Sequence, residues 1–368
     1  MEKVRIGIVG VGAISGIYLQ NITGMFHEIE VAGICDLVRE KAENAAAQYP
    51  GIKIYETMYD VFADPEVDIV LNLTRPYEHY GVTSEALKAG KHVYSEKPLA
   101  ATLEEGRALV ELARGKGLML GGAPDTFMGA GIQTCRRLID DGYIGRPIGA
   151  AANMICHGHE SWHPDPAFYY QHGGGPMMDM GPYYITALVN LLGGVSEVSG
   201  MVQTSFPQRT ITSQPLNGTM VDVEVPTHVT GMMRFAAGAV GTIITTFDVY
   251  HTEGVRLEVY GTEGTLFVPD PNTFGGPVRM LRREDPGHVY ELPLMYPYAD
   301  NSRALGLADM AKALRTGKAF RADCRQTLHV LEIMESFRHS SEQGRCLKWA
   351  STYERGAAMD PALPGGHL

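Results

Sequence analysis

A lysine beside a glutamate, directly after an apolar run, is the pair of side chains in this sequence best placed to do chemistry. Val93-Tyr94-Ser95 is followed by Glu96-Lys97-Pro98. In open α/β sheets, ligands bind outside the carboxyl ends of the strands, so we expect a lysine at this point to face a ligand. A surface ion pair followed by a turn proline would give the same tripeptide. The functional interpretation therefore depends on the rest of the sequence.

A strand, a glycine turn and a helix open the chain. Val4–Val9 is rich in β-forming residues, Gly10-Val11-Gly12-Ala13 follows, and apolar residues from Ile14 onward recur at helical spacing. Ser15 stands where such turns have a third glycine and is still small enough for close packing of helix on strand. The glycines allow the backbone to approach a pyrophosphate, and the helix N-terminus offers N–H groups to it. The pattern predicts a dinucleotide site.

Asp36 indicates which dinucleotide binds. It follows the second predicted strand, Ile29–Cys35, at the sequence distance expected of a carboxylate that holds the adenosine ribose. Its charge would repel the 2′-phosphate of NADP. Arg39 could attract that phosphate, but we interpret it as a solvated helix residue. We therefore expect NAD as the cofactor.

Composition limits the class of protein. The chain has 368 residues, of which 45% are apolar, and this length is enough for two domains. Its formal net charge is −11 and it has no basic run, which argues against nucleic acid or an anionic membrane as a partner. The first strand begins close to Met1, and apolar stretches are short, so we expect neither a signal peptide nor a membrane span. Five scattered cysteines predict reduced thiols and a cytoplasmic location.

The order of elements predicts an α/β fold with two domains. Strands and helices alternate up to residue 124, which is typical of a doubly wound parallel sheet. Between Ile148 and Val268, β-type segments follow one another without helices between them, which predicts an α+β domain with an open antiparallel sheet. We expect domains at 1–124 and 125–355, and a frayed tail at 356–368.

Further motifs along nearly the whole chain point to one family. They are Gly10–Ser15, Thr74-Arg75-Pro76 with His79, Ala89–Val93 leading to Glu96-Lys97-Pro98, Asp140–Gly145, Gly173-Gly174-Gly175 with Asp179 and Gly181, and Val259–Gly264. With them the chain resembles the glucose-fructose oxidoreductase, inositol dehydrogenase and rhizopine-catabolism protein family (Gfo/Idh/MocA). The resemblance implies a Rossmann nucleotide domain, an open-faced sheet domain that often forms the oligomer interface, and a sugar or cyclitol bound between the two.

The resemblance also implies a role for individual residues. Lys97 would be catalytic. The cofactor would contact Gly10, Gly12, Ala13, Ile14, Asp36, Thr74, Pro76, His79, Glu96 and Lys97. The physical argument for Lys97 agrees, because oxidation of an alcohol needs a base for the hydroxyl proton, and a free lysine, with a pKa of roughly 10.4, is too basic. Burial beside a cationic nicotinamide ring would lower that pKa.

One segment departs from the family pattern. The family usually has Asp-x-Gly-x-His, whereas this chain has Asp179-Met180-Gly181-Pro182-Tyr183, with tyrosine in the histidine place. Asp179 and Tyr183 would share a face if one helix holds both, although Pro182 could instead mark the first turn of a helix. Tyr183 could exchange a proton with the substrate, only donate a hydrogen bond to it, or simply pack in the core.

A polar and aromatic segment, Cys156–Pro164, precedes the glycine run. If it continues a strand, His157 and His159 lie on one face at a spacing that can hold a metal. Since a third ligand in register is missing, we expect no metal. We expect instead that His159 and His163 donate to or accept from a sugar that stacks on Trp162, with His163 among the catalytic residues.

The main hypothesis is an NAD-dependent dehydrogenase that oxidises a ring hydroxyl of a sugar, cyclitol or sugar derivative. Lys97 would be the acid–base group, Asp179 and Tyr183 would orient substrate or relay a proton, and the protein would form a dimer or tetramer through the C-terminal sheet. One alternative is a glycoside hydrolase that oxidises C3 transiently, eliminates the aglycone, adds water and reduces the sugar again. A second is a sensor that binds NAD and sugar without chemistry.

Overall fold

Aliphatic runs alternate with helices in the first part of the chain, and the computed structural model pairs these runs into one parallel sheet. The structure describes residues 2–250, 254, 256–349 and 353–368. The elements are β1 (Val4–Val9), α1 (Ser15–Gly24), β2 (Ile29–Cys35), α2 (Arg39–Gln48), β3 (Lys53–Ile54), α3 (Met58–Ala63), β4 (Ile69–Asn72), α4 (His79–Lys88), β5 (His92–Ser95), α5 (Leu103–Lys116) and β6 (Leu120–Gly122). Their strand order is β3-β2-β1-β4-β5-β6, with every pair parallel. The predicted doubly wound sheet is confirmed.

Local sequence signals set the limits of these helices. Helix α5 begins with a capping box in which the Thr102 hydroxyl accepts from the Glu105 N–H and the Glu105 carboxylate accepts from the Thr102 N–H, each at 3.2 Å. It ends at Gly117, whose φ of 65° suits glycine. Within the described ranges, no helix has both the length and the hydropathy needed to cross a membrane.

The second part of the chain builds a larger sheet. Its elements are α6 (Ala130–Asp140), β7 (Pro147–Ile155), α7 (Pro176–Asp179), α8 (Gly181–Leu192), β8 (Val195–Gln203), β9 (Gln208–Thr210), β10 (Met220–Asp222), β11 (His228–Phe235), β12 (Val240–Thr246), β13 (Leu257–Gly261), β14 (Gly264–Phe267), β15 (Val278–Arg282), β16 (Asp285–Leu292), α9 (Leu305–Thr316), α10 (Cys324–Gln343) and β17 (Leu347–Lys348). Nine strands pair in the order β16-β15-β14-β13-β7-β12-β11-β8-β17, and β9 pairs with β10 alone.

This sheet is mixed, which corrects the prediction of an antiparallel one. Strands β7 and β12 are parallel, whereas the other pairs are antiparallel. A parallel pair needs a long crossover, and the chain between β7 and β12 supplies one that includes α7 and α8. A strand-after-strand pattern in the sequence does not show this crossover.

Chain contacts group the residues into two units whose limits differ from the predicted domains. The first unit comprises Met1–Met128, Asp300–Leu328 and Met359–Leu368, and the second comprises Gly129–Ala299 and His329–Ala358. Helix α9 belongs to the first unit because it packs beside β6. The tail is ordered against the same unit, since Leu368 is buried and its N–H donates to the Glu28 carboxylate at 3.1 Å. The frayed tail is therefore a wrong expectation.

A buried arginine fastens strand β9 to the loop that follows β7. The Arg209 guanidinium donates to Glu160 at 3.0 Å, to the Phe247 carbonyl at 2.9 Å and to Asp248 at 2.5 Å. Thr227 donates to the second oxygen of Asp248 at 2.8 Å. The side chains of Arg209, Glu160 and Asp248 are only 5%, 11% and 6% exposed. The ion triad thus holds the loop in place from a distant part of the chain.

Replacement of Arg209 by methionine should lower the free energy of unfolding by about 3–5 kcal/mol, because two carboxylates would remain buried without their cation. The matched control is Arg234→Met, which removes an arginine whose side chain is 51% exposed and paired with Glu197. That change should cost under about 1 kcal/mol. Urea unfolding of both variants measures the difference, and equal losses would contradict the assigned importance of the triad.

His329 links α10 to β8 inside the second unit. Its Nε2 accepts a hydrogen bond from the Val195 N–H at 3.0 Å, and burial lowers its pKa to about 4. The native protein therefore binds this proton less readily than the unfolded chain, whose histidine pKa is about 6.5. Stability from His329 is complete above pH 6.5 and is lost as the pH falls toward 4.

Between pH 7 and pH 5, the wild-type protein should lose about 2 kcal/mol of unfolding free energy through His329 alone. A His329→Gln variant retains an acceptor for the Val195 N–H but does not titrate. Its unfolding free energy should fall correspondingly less over the same interval, measured by urea unfolding at each pH. Parallel pH profiles of the two proteins would rule out His329 as the titrating group.

Candidate functional site

The glycine turn after β1 has the shape expected of a phosphate-binding loop. Gly10 has φ of 96°, and a Cβ there would lie 2.8 Å from the Leu73 carbonyl, so only glycine fits. Gly12 and Ala13 are exposed, and a Cβ at Gly12 would have no neighbour within 4 Å. Ser15 begins α1 and donates to the Gly12 carbonyl at 2.7 Å. An open backbone turn at a helix N-terminus suits a pyrophosphate.

Asp36 lies beside this turn at the end of β2. One carboxylate oxygen accepts from the Val11 N–H at 2.7 Å and the other accepts from the Val38 N–H at 2.8 Å. Both bonds fix the half-buried carboxylate at the carboxyl end of β2, beside the glycine turn. Arg39 pairs with Glu43 at 2.8 Å and with Glu56. This pairing supports its interpretation as a solvated helix residue.

Thr74 and Pro76 follow β4 at the same edge of the sheet. The Thr74 hydroxyl donates to the buried Asn72 side chain at 2.6 Å, and Pro76 begins a 3₁₀ helix, Pro76–Glu78. The Asn72 amide in turn donates to the Thr83 hydroxyl at 3.0 Å. Thr74 is therefore held by a side-chain network under the loop.

His79 lies inside the protein and positions loops instead of facing a ligand. It is 1% exposed, with Nδ1 2.7 Å from the Pro98 carbonyl and Nε2 3.0 Å from the Thr74 carbonyl. Burial lowers its pKa, against the raising effect of these two carbonyls. The imidazole connects the loop after β4 with the loop that contains Lys97.

Lys97 follows β5 and is half-buried, with Glu96 buried beside it. The Glu96 carboxylate accepts from the Tyr18 hydroxyl at 2.7 Å and from the Lys97 N–H at 3.0 Å. Burial first, and then Glu96, raise the pKa of Tyr18 well above its usual range. Tyr18 occupies one of the apolar helical positions of the sequence pattern, and that pattern gives no signal for its hydrogen bond to Glu96.

A second buried carboxylate lies in the first unit. Asp125 is 1% exposed and accepts from the Gly306 N–H, near the N-terminus of α9, at 3.0 Å. Burial raises its pKa to about 6, and the negative Glu96 adds to the rise. A Cβ at Gly306 would lie 2.3 Å from the Tyr94 hydroxyl, so this approach requires glycine. Neither Tyr94 nor Gly306 was a sequence candidate.

In the second unit, Asp179 and Tyr183 lie on different helices. Asp179 is the last residue of α7, and Pro182 stands in the first turn of α8. Of the two arrangements predicted above, this is the one in which Pro182 marks the first turn of a helix. Tyr183 is buried at 6% exposure. Asp179 instead lies near His159, with Oδ2 3.4 Å from Nε2.

Aromatic rings surround this imidazole. The His159 ring lies 4.1 Å from Tyr169, 4.7 Å from Phe247 and 5.2 Å from Trp162, measured between ring centroids. Trp162 is 60% exposed. His163 packs against Trp162 at 5.4 Å, and its Nδ1 accepts from the Asp165 N–H at 3.0 Å. The structure thus brings His159, Trp162, His163 and Asp179 into one cluster.

His157 and His159, whose spacing on a strand could hold a metal, do not lie on one strand face. Strand β7 ends at Ile155, and Gly158 turns the chain with φ of 82°. His157 stacks on Tyr250 at 3.7 Å, away from the partners of His159. Among the described residues, no three His, Cys, Asp or Glu side chains lie close enough to hold a metal ion.

Two family models match most of the chain. Residues 4–122 match the oxidoreductase family with an NAD-binding Rossmann fold, and residues 132–267 match the GFO/IDH/MocA C-terminal domain. The levoglucosan dehydrogenase of Pseudarthrobacter phenanthrenivorans is 26% identical over 244 residues, which is 62% of each chain. The scyllo-inositol 2-dehydrogenase (NAD(+)) of Bacillus subtilis is 26% identical over 268 residues, which covers 73% of this chain and 74% of that one.

Solved structures share the fold. An NAD-binding oxidoreductase from Klebsiella pneumoniae superposes with a TM-score of 0.81 at 22% identity, over 94% of this chain and 99% of that one. Levoglucosan dehydrogenase in complex with NADH and L-sorbose gives a TM-score of 0.81 at 21% identity, over 95% and 99%. The two family models, which together cover most of the chain, show that it belongs to the Gfo/Idh/MocA family of NAD-binding oxidoreductases.

Proposed function

We propose that this protein oxidises a ring hydroxyl of a sugar, cyclitol or sugar derivative, with NAD as the hydride acceptor. The observation that supports this most is the edge of the parallel sheet, where the open turn at Gly10 and Gly12, the ribose-type carboxylate of Asp36 and the lysine at 97 all follow strands of one sheet. Ligands of open α/β sheets bind at that edge. NAD supplies the oxidising power when it binds there.

In this proposal, the residues of the first unit bind the cofactor and accept the substrate proton. Gly10, Gly12, Ala13 and Ile14 offer backbone to the pyrophosphate, and Asp36 accepts from the adenosine ribose. Thr74, Pro76 and Glu96 contact the cofactor near Lys97. Lys97 takes the proton of the substrate hydroxyl. His79, which is buried, supports the loop that contains Thr74 and the loop that contains Lys97. Removal of the proton by a base in place contributes typically about 10²–10⁴-fold to such a step.

The second unit recognises the ring. Trp162 offers an exposed aromatic face on which the C–H face of a sugar can pack. Asp179 and Tyr183 orient the hydroxyls, and His159 and His163 lie next to this surface. The dehydrogenases of inositol, xylose and levoglucosan among the relatives support a polyhydroxylated ring as the substrate class.

A redox-neutral glycoside cleavage is the second candidate, because it needs a base beyond Lys97 and the pair of His159 with Asp179 offers one. The two functions differ in product. A dehydrogenase accumulates NADH with free sugars, whereas the cleavage reaction releases an aglycone, requires NAD and accumulates no NADH. The two functions can be distinguished with a panel of free sugars and aryl glycosides, by measuring both the NADH absorbance and the release of the aglycone.

We also propose a homo-oligomer, a dimer or tetramer, formed through the nine-stranded sheet. Met201, Met232 and Val240 are all exposed, and the strand register places them on one face. Such exposed apolar side chains on an open sheet favour a protein interface. The unpaired thiols of the five cysteines support a reducing compartment, and we propose the cytoplasm.

Replacement of Lys97 by alanine should reduce NADH formation about 10²–10⁴-fold on the best sugar of the panel, because the hydroxyl proton loses its acceptor. The affinity for NADH, measured by fluorescence titration, should fall much less than turnover does, because the other cofactor contacts remain. Lys88→Ala is the matched control, since Lys88 is an exposed lysine paired with Glu85 on α4. Undiminished turnover in Lys97→Ala would exclude the proposed role.

The wild-type protein should bind NAD far more tightly than NADP, because a 2′-phosphate against Asp36 costs on the order of several kcal/mol. Asp36→Ser should narrow the preference, and Asp36→Ser with Glu56→Gln should narrow it further, since Arg39 then loses one carboxylate partner. Glu40→Ser, which removes an exposed charge from the same helix, is the control. Dissociation constants for both cofactors measure this, and equal wild-type affinities would overturn the placement of Asp36.

A further inference from the structure

Two buried carboxylates follow neighbouring strands of the parallel sheet in the first unit. Glu96 follows β5 and is 8% exposed, and Asp125 comes after β6 and is 1% exposed. Glu96 accepts from the Tyr18 hydroxyl at 2.7 Å and from the Lys97 backbone N–H at 3.0 Å. Asp125 accepts from the Gly306 N–H at 3.0 Å. Since these donors are neutral groups, the hydrogen bonds stabilise the negative charges without cancelling them.

The two carboxylates are close enough to influence each other. Burial is the main cause that raises the pKa of Asp125 to about 6. The Gly306 N–H and the Arg303 cation act against this rise, whereas the negative charge of Glu96 adds to it. Burial, and then the charges of Glu96 and Asp125, also raise the pKa of Tyr18. Charges coupled in this way act together on a further charge placed beside them.

Two more polar groups, from β5 and α9, lie near this pair, and neither adds a positive charge. Tyr94 is fully buried, and a Cβ at Gly306 would lie 2.3 Å from its hydroxyl and 3.0 Å from the Asp125 Cβ. Among the residues that the structure describes, the Tyr94 hydroxyl has no hydrogen-bond partner. Asp309 on α9 is paired with Arg321 at 2.6 Å, so that cation is already balanced.

From this cluster we infer that Asp125, together with Glu96, stabilises binding of the oxidised cofactor relative to the reduced one. The nicotinamide ring is positively charged in NAD and neutral in NADH. The inference rests on the proposed function for the position of that ring, beside Lys97. Fixed negative charges that are shielded from water attract the cation and leave the neutral ring unaffected. Asp125 thus determines a preference for oxidation state and takes no proton from the substrate.

The experiment measures cofactor binding and does not depend on turnover. Isothermal titration calorimetry gives the dissociation constants for NAD and NADH, and their ratio, NADH over NAD, is the preference for NAD. In Asp125→Asn the amide oxygen still accepts from the Gly306 N–H, but the charge is gone. The substitution should lower the preference about 3–10-fold by weakening the binding of NAD and not that of NADH.

Asp68→Asn is the matched control. Asp68 precedes β4, at the opposite edge of the same sheet, and accepts from the Arg5 backbone N–H at 2.9 Å. The substitution makes the same change in the net charge of the protein, far from the strand ends that Glu96 and Asp125 follow. Both of its dissociation constants should equal those of the wild-type protein.

The pH dependence is a readout that a merely structural role would not change. Because Asp125 is ionised above a pKa of about 6, the wild-type preference for NAD should rise about 3–10-fold from about pH 5 to about pH 8. Asp125→Asn should abolish this rise, and groups that both proteins share, His79 among them, do not contribute to the difference. Glu96→Gln should retain the rise with a midpoint at lower pH, because Asp125 loses a negative neighbour.

Four results would overturn the inference. They are an equal loss of NAD and NADH binding in Asp125→Asn, a wild-type preference that is constant over this pH interval, an unmoved midpoint in Glu96→Gln, and a wild-type protein that binds neither cofactor. If Asp125→Asn does not fold, the wild-type profile and the Glu96→Gln midpoint still decide. NADH formation on the sugar panel is measured separately. Its absence, with the pH-dependent preference intact, would reject the proposed dehydrogenase activity and leave the inference standing.

Discussion

The contact on which the first unit most depends is that of one buried imidazole with two backbone carbonyls. His79 joins the Thr74 carbonyl to the Pro98 carbonyl and so ties together the loops that follow β4 and β5. A neutral imidazole has one N–H and can donate to only one of these carbonyls at a time. Burial favours that neutral form and lowers the pKa of His79, and it outweighs the two carbonyls, which act in the opposite direction.

Other buried polar groups of the first unit extend this support. Glu96 accepts from Tyr18 on α1, which connects the glycine turn's helix to the lysine loop. Asp125 accepts from Gly306, near the start of α9, where the helix dipole favours a negative charge. Since an unpaired buried carboxylate is costly, each of these bonds stabilises the carboxylate that it reaches. The polar support of the sheet edge therefore includes helices α1 and α9 as well as the strand ends.

Much of the first unit could be predicted because its signals are local. The unbroken aliphatic run at β4, the glycine at position 10 and the capping box at Thr102 each depend on adjacent residues. The remainder depends on contacts between distant residues. Residues 300–328 join the first unit, β15 and β16 extend the second sheet, and β7 pairs in parallel with β12, and none of these has a sequence signal of its own.

The same distinction separates the candidate residues at the sheet edge from those around His159. Lys97, Glu96 and Asp36 each follow a strand, so the fold fixes where they lie once the strands are assigned. The position of His159 depends instead on the rings of Tyr169 and Phe247 and on the neighbouring Glu160, which pairs with Arg209, 49 residues from that glutamate. The surroundings of His159 are therefore determined by packing between β9, the segment after β12 and one loop. Under the proposed function, changes in that packing would alter which sugar binds while the sheet edge and its lysine stay the same.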